Sequence, residues 1–322
     1  MTQYKIVVSD DRYNGAYDEE KEVLKDLNVE FIVNQSANCE GVIMACKDAD
    51  GILCNLAPMG DDVISQLEKC KIISRYGVGY DNVAVEACTN KGICVANVAD
   101  FCAEEVSSQA LGLLLACARK IARRDVQVRK GMWNICRDDP IYRIAGKTFV
   151  FLGFGIIARC LHRKIQGFNF KEILIFDPFI DDAIVTQCGC RKVDWNEALS
   201  QGDFISIHMP VNDQTRGIIN RDAFAKMKST TILVNTSRGP IIDELSLIDA
   251  LNSGQINSAG LDVHNQEPLD KESPLMHIEN CVLSDHVGWY SEEAMSELKT
   301  KAAKNVREVL NGRAPLYPVN TI

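Results

Sequence analysis

The amino-acid sequence predicts an α/β protein that contains two doubly wound parallel sheets. Short apolar runs alternate with helix-like stretches along the chain of 322 residues, and this alternation is typical of βαβ units. Most of the runs are apolar throughout, as expected of strands that a parallel sheet buries on both faces. The runs form two series separated by one long helical stretch, so we expect two sheets, in domains of about 150 residues each.

The first series of predicted strands consists of Ile6–Val8, Glu30–Val33, Gly51–Cys54, Ile72–Ser74 and Ile93–Ala96. The second series follows at Thr148–Leu152, Ile173–Phe176, Phe204–Ile207, Thr231–Val234, Ser258–Leu261 and Cys281–Leu283. Helical patterns between the strands cover Asp18–Leu27, Asp61–Leu67, Ile156–Gln166 and Glu244–Asn252. The Ala- and Leu-rich stretch Ala103–Arg124 predicts one unbroken helix of about six turns between the two series. An irregular segment is expected at Asp125–Ile144, and Glu292–Asn311 predicts a final helix.

Composition places the chain among ordinary globular proteins. Hydrophobic residues make up 46% and charged residues 25%, which excludes disorder and fibrous repeats. The net charge is −9, from 35 Lys and Arg against 44 Asp and Glu, so nucleic acid and anionic membranes are disfavoured as partners. The N-terminal residues show no basic region followed by a long apolar run, so we expect no signal peptide, and no apolar window reaches about 18 residues. Thirteen scattered cysteines indicate buried thiols, so we expect a cytoplasmic, metal-free protein.

The sharpest local motif predicts a dinucleotide site. Two glycines and a small residue stand between a predicted strand and a predicted helix: Gly153-Phe154-Gly155-Ile156-Ile157-Ala158. The first glycine permits a tight turn, the second lets the backbone approach a pyrophosphate, and the small third residue lets helix and strand pack closely. Asp177 ends the next predicted strand, 22 residues after Gly155, where a carboxylate binds the ribose hydroxyls. A structural glycine turn with a solvated aspartate is the alternative.

The residues after Asp177 distinguish between the two nicotinamide dinucleotides. Pro178, Phe179 and Ile180 follow it, and none of them is an arginine. A carboxylate at this position accepts the ribose hydroxyls but repels a 2′-phosphate, so the sequence predicts NAD rather than NADP.

Three polar residues follow the ends of the last three predicted strands: Arg238, Glu267 and His286. Ligands of open parallel sheets bind beyond the carboxyl ends of the strands, so all three side chains could reach one crevice. An arginine binds and polarises a 2-keto acid, a histidine exchanges a proton with the C2 oxygen, and a glutamate orients the histidine and favours its charged form. For each residue taken singly, a surface or strand-end role is the alternative.

The sequence resembles the D-isomer-specific 2-hydroxyacid dehydrogenase family, and the resemblance covers essentially the whole chain. The segments that carry it are SRYGVGYDNV (74–83), LGFGIIAR (152–159) with Asp177, IHMPVNDQTRGIIN (207–220), VNTSRGPIIDE (234–244), GLDVHNQEP (260–268) and DHVGWYS (285–291). Within the family, the DVH tripeptide and the spacing of His286 and Trp289 look most like the C-terminal-binding-protein branch, which includes a transcriptional corepressor.

The resemblance implies a discontinuous architecture. A flavodoxin-like substrate domain would consist of residues 1–99 and 291–322, and a Rossmann NAD domain, residues 100–290, would be inserted into it. Family members are usually dimers joined through the NAD domain. We therefore expect a homodimer in which the long helix and the loop RKGMWN (129–134) contact the partner, with Trp133 as an interface residue.

The resemblance also implies roles for individual residues. The positions that match the family's catalytic trio are Arg238, Glu267 and His286. The backbone amides of Val78 and Gly79 would hold the substrate carboxylate, Arg75 is a further candidate for that carboxylate, and Trp289 would narrow the substrate cavity. The positions implied to contact the cofactor, besides the glycine loop and Asp177, are His208, Pro210, Thr215, Thr236, Asp262 and Gly288.

Two positions depart from the family pattern. Asp285 stands where the family commonly has proline before the catalytic histidine, and it either faces solvent or changes the charge at the site. Val106 stands where the corepressor branch has threonine, which removes one hydroxyl near the cofactor.

Together these features predict an NAD-dependent enzyme that transfers a hydride between NADH and a small 2-keto acid. A specialised phosphoglycerate or glyoxylate/hydroxypyruvate dehydrogenase is the main alternative among enzymes. Formate dehydrogenase is disfavoured, because its relatives carry glutamine at the position of Glu267. An NAD(H)-sensing scaffold with weak dehydrogenase activity is the alternative from another class.

Overall fold

A computed structural model describes residues 3–36, 38–133 and 139–322. The chain divides into two compact units. The first unit comprises Met1–Phe101 and Ser291–Ile322, and the second comprises Cys102–Tyr290. Each unit has its own parallel sheet and its own apolar core, which is the predicted α/β class with two doubly wound sheets.

Within its described residues, the first unit contains a five-stranded parallel sheet in the order β2-β1-β3-β4-β5. The strands are β1 (Tyr4–Val8), β2 (Val29–Val33), β3 (Gly51–Cys54), β4 (Ile72–Arg75) and β5 (Cys94–Ala96). The helices are α1 (Asp18–Leu24), α2 (Cys39–Cys46), α3 (Asp61–Gln66), α4 (Val85–Asn90) and the C-terminal helix Glu292–Leu310. Every residue of the central strand β3 is buried, as its continuous apolar run predicted.

Of the residues that the structure describes, those of the second unit form a seven-stranded parallel sheet in the order β12-β11-β10-β9-β6-β7-β8. Its helices are α5 (Ala103–Arg119), α6 (Ile121–Arg129), α7 (Ile156–Ile165), α8 (Asp182–Gln187), α9 (Trp195–Gln201), α10 (Arg221–Lys226) and α11 (Glu244–Asn252). Its strands are β6 (Thr148–Leu152), β7 (Glu172–Phe176), β8 (Arg191–Lys192), β9 (Phe204–Ile207), β10 (Ile232–Asn235), β11 (Ser258–Leu261) and β12 (Cys281–Leu283). The strand order reverses between β6 and β9, and open parallel sheets bind their ligands at the carboxyl end of such a switch point.

The prediction of one unbroken helix over Ala103–Arg124 is wrong. The chain breaks between α5 and α6 at Lys120, which adopts the left-handed conformation with φ +55° and ψ +36°. The Lys120 ammonium forms an ion pair with the Asp139 carboxylate, a tertiary contact that a helical periodicity does not contain. The segment predicted to be irregular also begins as helix, because α6 continues to Arg129.

Residues 134–138 lie outside the described residues; they include the last residue of the predicted interface loop RKGMWN and part of the segment predicted to be irregular. Of the loop RKGMWN, the structure describes residues 129–133, and the Trp133 side chain is 88% exposed. No helix among the described residues is both long and apolar enough to span a membrane. The same residues contain no group of three or more His, Cys, Asp or Glu side chains arranged to hold a metal ion.

Candidate active site

The glycine loop of the second unit connects β6 to α7. Gly153 has φ +90°, and its N–H donates to the Phe176 carbonyl at 2.8 Å. A Cβ at Gly153 would lie 2.7 Å from the His208 carbonyl oxygen, so no residue with a side chain fits this turn without displacing the backbone beside it. The first glycine of the motif therefore lets two neighbouring strand ends approach each other.

The second glycine faces open space. A Cβ at Gly155 would meet no atom within 4 Å among the described residues, whereas Ala158 one turn later is completely buried. Gly155 precedes the first residue of α7, and the first backbone N–H groups of a helix have no partner within it. The arrangement leaves room for a phosphate at the N–H groups of Ile156 and Ile157, where the helix dipole favours negative charge.

Asp177 lies beside the glycine loop at the end of β7. One carboxylate oxygen accepts from the Phe154 N–H at 2.9 Å, and the other accepts from the Phe179 N–H at 2.9 Å. Each oxygen keeps a second lone pair, so the carboxylate supports the loop and still has capacity to accept ribose hydroxyls.

His208 and the loop after it lie at the end of β9. The His208 Nε2 is 2.8 Å from the Ser206 hydroxyl, and burial lowers the pKa of the imidazole to about 3, so this ring is neutral at pH 7. The Thr215 hydroxyl donates to the Pro210 carbonyl at 2.7 Å and accepts from the Asn212 N–H at 2.8 Å. The Thr215 hydroxyl thus fixes the backbone of the loop of residues 210–215. The family resemblance implied a cofactor contact for Thr215 and did not specify this structural role.

The segment after β10 carries Thr236 and Arg238. Thr236 is 9% exposed, and its buried hydroxyl has no hydrogen-bond partner among the described residues. The Asn235 side chain donates to the Arg238 carbonyl at 2.9 Å, which fixes the turn. A Cβ at Gly239 would lie 2.1 Å from the His264 backbone, so this glycine lets the arginine segment pack against the loop that carries the glutamate.

The proposed acid–base pair is formed by two side chains of the second unit. His286 Nδ1 is 2.7 Å from Glu267 Oε2, and the side chains are 40% and 38% exposed. The other oxygen, Oε1, accepts from the His264 N–H at 3.0 Å. Burial alone would raise the pKa of Glu267, but the hydrogen bonds from His286 and His264 outweigh it and hold the pKa below the ordinary value. Glu267 is therefore a carboxylate at neutral pH, oriented on the imidazole.

Asp262 organises the chain around His286. Its carboxylate, 2% exposed, accepts hydrogen bonds from the Ser284 hydroxyl at 2.6 Å, the Gly288 N–H at 2.9 Å, the Val287 N–H at 3.2 Å and the Gln109 side chain at 3.3 Å. His286 has φ +58°, an uncommon conformation for a residue with a side chain, and its N–H donates to the Asp262 carbonyl at 2.8 Å. Asp262 thus supports the backbone that presents His286.

Sequence reasoning missed two contributors to this network. Gln109 lies on α5, more than 150 positions from its partner Asp262, and no local pattern links them. Ser284 immediately precedes the DHVGWYS segment, two residues before His286, and its hydroxyl joins Gln109 to Asp262. Gln109 follows Ser107 and Ser108 on α5, so its polar side chain gave no distinct signal in the sequence.

The remaining residues predicted for the site lie in the segment around His286 and at the carboxyl end of β4. Trp289 follows the histidine segment, and its ring packs edge-on against Tyr290 with 5.6 Å between centroids. Asp285 is exposed. In the first unit, Arg75, Val78 and Gly79 are half-buried at the carboxyl end of β4.

Comparison with known proteins identifies the family. The family model for the NAD-binding domain of D-isomer specific 2-hydroxyacid dehydrogenases matches residues 111–288, more than half of the chain. The chain belongs to the D-isomer specific 2-hydroxyacid dehydrogenase family. The family assignment made from the sequence is thus confirmed.

Similar members of the 2-hydroxyacid dehydrogenase family are named reductases and dehydrogenases. A hydroxypyruvate reductase of Blautia hydrogenotrophica is 34% identical over 288 residues, covering 88% of each chain. A D-3-phosphoglycerate dehydrogenase of Methanocaldococcus jannaschii is 35% identical over 98% of this chain, which spans 59% of that relative's length. The crystal structure of a glyoxylate reductase from Paecilomyes thermophila superposes with a TM-score of 0.90 at 27% identity, covering 99% of each chain.

Proposed function

We propose that this protein is an NAD-dependent oxidoreductase that interconverts a small 2-keto acid and the corresponding D-2-hydroxy acid. The observation that carries the proposal is the 2.7 Å contact between His286 Nδ1 and the Glu267 carboxylate in a chain with a glycine loop for a dinucleotide. We assign substrate binding to residues 1–99 and 291–322 and cofactor binding to residues 100–290.

The residues of the second unit fit NAD. Gly155 leaves space at the start of α7, Asp177 retains acceptor capacity, and the buried Thr236 hydroxyl has no partner within the described part of the chain. A dinucleotide supplies a pyrophosphate, ribose hydroxyls and a carboxamide, which complement these three features. When bound, NADH supplies the hydride that reduces C2.

The proton for reduction comes from His286. Glu267 holds Nδ1, so Nε2 is the ring nitrogen that donates a proton to the C2 oxygen as the carbonyl is reduced to a hydroxyl. The Arg238 guanidinium polarises the carbonyl and binds the acid, and the Val78 and Gly79 amides hold the carboxylate. In the oxidising direction the imidazole accepts the same proton.

The proposed substrates are small 2-keto acids. Hydroxypyruvate and glyoxylate head the series because relatives with those names match this chain along most of its length. The test is a screen that measures NADH oxidation at 340 nm with 2-keto acids of graded side-chain size. Turnover of at least one acid supports the enzyme, whereas NADH binding with no turnover of any acid would indicate a scaffold.

The sequence also favours one branch within the family. The DVH tripeptide, Asp262-Val263-His264, and the spacing of His286 and Trp289 favour the C-terminal-binding-protein-like branch. That branch would give the protein an NAD(H)-sensing role with weak dehydrogenase activity, and the same screen separates the two roles. Buried cysteines favour a reducing, cytoplasmic compartment: burial raises the pKa of the Cys54 and Cys117 thiols to about 12, so they stay protonated.

We expect NADH to be used about tenfold better than NADPH, or more, in kcat/KM, because the Asp177 carboxylate repels a 2′-phosphate. Asp177→Asn should narrow this ratio. Asparagine removes the charge and keeps an acceptor for the Phe154 N–H, whereas Asp177→Ala would also loosen the glycine loop. Equal efficiency with both cofactors in the unmodified protein would contradict the assignment of Asp177.

We expect a homodimer in solution. Apolar side chains are exposed along α6 and the residues after it: Ile121, Val126, Val128, Met132 and Trp133. Light scattering at micromolar concentration should give twice the chain mass of 35.7 kDa, because such a surface is buried in stable interfaces. Trp133→Ser should weaken the dimer, and Phe179→Ser, at an aromatic residue 90% exposed elsewhere in the unit, should not. A monomer throughout that concentration range would refute the interface.

A further inference from the structure

The loop that follows β4 is fixed by the residues that follow β5. The Val98 N–H donates to the Gly77 carbonyl at 3.0 Å, and Asn97 Nδ2 donates to the Val78 carbonyl at 2.7 Å. Gly77 has φ +135°, a backbone conformation that residues with a side chain rarely adopt. The turn that directs these two carbonyls toward the end of β5 therefore requires glycine.

Those two carbonyls set the direction of two backbone amides. In a trans peptide the C=O and the N–H of one unit point in opposite directions. The Gly77 carbonyl shares its peptide with the Val78 N–H, and the Val78 carbonyl shares its peptide with the Gly79 N–H. Both N–H groups thus point away from the end of β5, and within the described residues neither donates a hydrogen bond. Adjacent N–H groups with a common direction bind carboxylates.

The position of Asn97 is itself fixed by hydrogen bonds of its backbone. The residue is 8% exposed, its N–H donates to the Tyr317 carbonyl at 3.2 Å, and its carbonyl accepts from Asn305 Nδ2 at 2.9 Å. Asn305 lies on the C-terminal helix, is fully buried, and accepts from the Leu316 N–H at 2.9 Å through Oδ1. The buried polar chain from Asn305 through Asn97 therefore keeps the Nδ2 donor aimed at the Val78 carbonyl.

We propose that Asn97 is a positioning residue for carboxylate recognition: by holding the Val78 carbonyl, it aims the Gly79 N–H at the carboxylate of the 2-keto acid. This inference rests on the proposed function, which assigns the carboxylate to the Val78 and Gly79 amides. The carboxylate keeps its charge throughout reduction at C2, so a poorly aimed donor weakens ground state and transition state alike. Loss of the Asn97 donor therefore raises KM more than it lowers kcat.

The test compares a charged substrate with an uncharged one of the same carbonyl chemistry. Steady-state rates are measured with glyoxylate and with ethyl glyoxylate for the unmodified protein, Asn97→Ala and Asn97→Asp. Aspartate keeps the shape of asparagine but, when ionised, has no hydrogen to donate. In both variants we expect the ratio of kcat/KM for the acid to that for the ester to fall about tenfold or more, with kcat/KM for the ester within about threefold.

Asn320→Ala is the matched control. The Asn320 side chain donates to the Ile93 carbonyl at 3.0 Å and accepts from the Val95 N–H at 2.7 Å. Both contacts precede Asn97 in the chain and neither involves the loop after β4, so removal of the Asn320 side chain should leave the acid-to-ester ratio unchanged. An unchanged ratio in the Asn97 variants would overturn the inference, and so would an equal loss for acid and ester, which is the signature of general structural damage. If the unmodified protein reduces no 2-keto acid, the proposed function itself fails, and the inference with it.

Discussion

Replacing His286 with alanine should lower kcat for 2-keto acid reduction by about 10²–10⁴-fold, the usual contribution of a positioned proton donor. The variant loses the imidazole that donates to the C2 oxygen, whereas the glycine loop and Asp177 remain in place. The dissociation constant for NADH, measured by fluorescence titration, should therefore stay within about twofold of the unmodified value.

His277→Ala is the control for this experiment. His277 is exposed in a short 3₁₀ helix at Pro274–His277, outside the residues assigned to catalysis and cofactor binding, so its removal should leave kcat unchanged. Turnover that survives in His286→Ala would refute the proposed mechanism, whatever the family membership of the chain.

Replacing Glu267 with glutamine should move the pH profile of reduction to lower pH. Reduction consumes one proton, which the hydrogen-bonded pair of Glu267 and His286 holds, so the rate falls as pH rises and the pair loses that proton. The pKa of Glu267 is held low by its hydrogen bonds to His286 and His264. This carboxylate is therefore ionised throughout the pH range of the rate profile, and its charge favours the protonated form of the pair. Glutamine has no charge, and the midpoint of the fall should shift down by about one pH unit or more.

A second acidic residue makes a control necessary for the pH profile. Asp285 is exposed next to His286, and its charge could contribute to the same effect through solvent. Asp285→Asn should shift the midpoint less than Glu267→Gln, because an exposed charge is screened. If Glu267→Gln left the midpoint of the pH profile unchanged, or moved it to higher pH, the result would contradict the role assigned to Glu267.

The sequence predicted those parts of the fold and site that depend on local requirements. Gly153 and Gly155 stand at positions where a tight turn and an open helix start need glycine, so the motif could be read directly. Arg238, Glu267 and His286 follow strand ends, and the parallel-sheet rule brings strand ends to one edge. The two sheets were predicted from two series of continuous apolar runs that a long helical stretch separates.

The parts that the sequence did not predict depend on contacts between distant residues. The break at Lys120 occurs inside a stretch rich in Ala and Leu, and an ion pair with Asp139 accompanies it. His286, which Asp262 and Gln109 support, has a left-handed backbone, and no local sequence pattern indicates that conformation. The direction of the Gly79 N–H depends on an asparagine at the end of another strand.

The central claim is that the chain transfers a hydride to C2 of a 2-keto acid, and isotope transfer tests it most directly. The protein is incubated with NADH that carries deuterium at both C4 positions of the dihydronicotinamide, together with hydroxypyruvate or the best acid of the screen. Proton and deuterium NMR and chiral chromatography of the product should show one deuterium at C2 of the D-2-hydroxy acid. Bound NADH that is never consumed, or a hydroxy acid without deuterium at C2, would contradict the account.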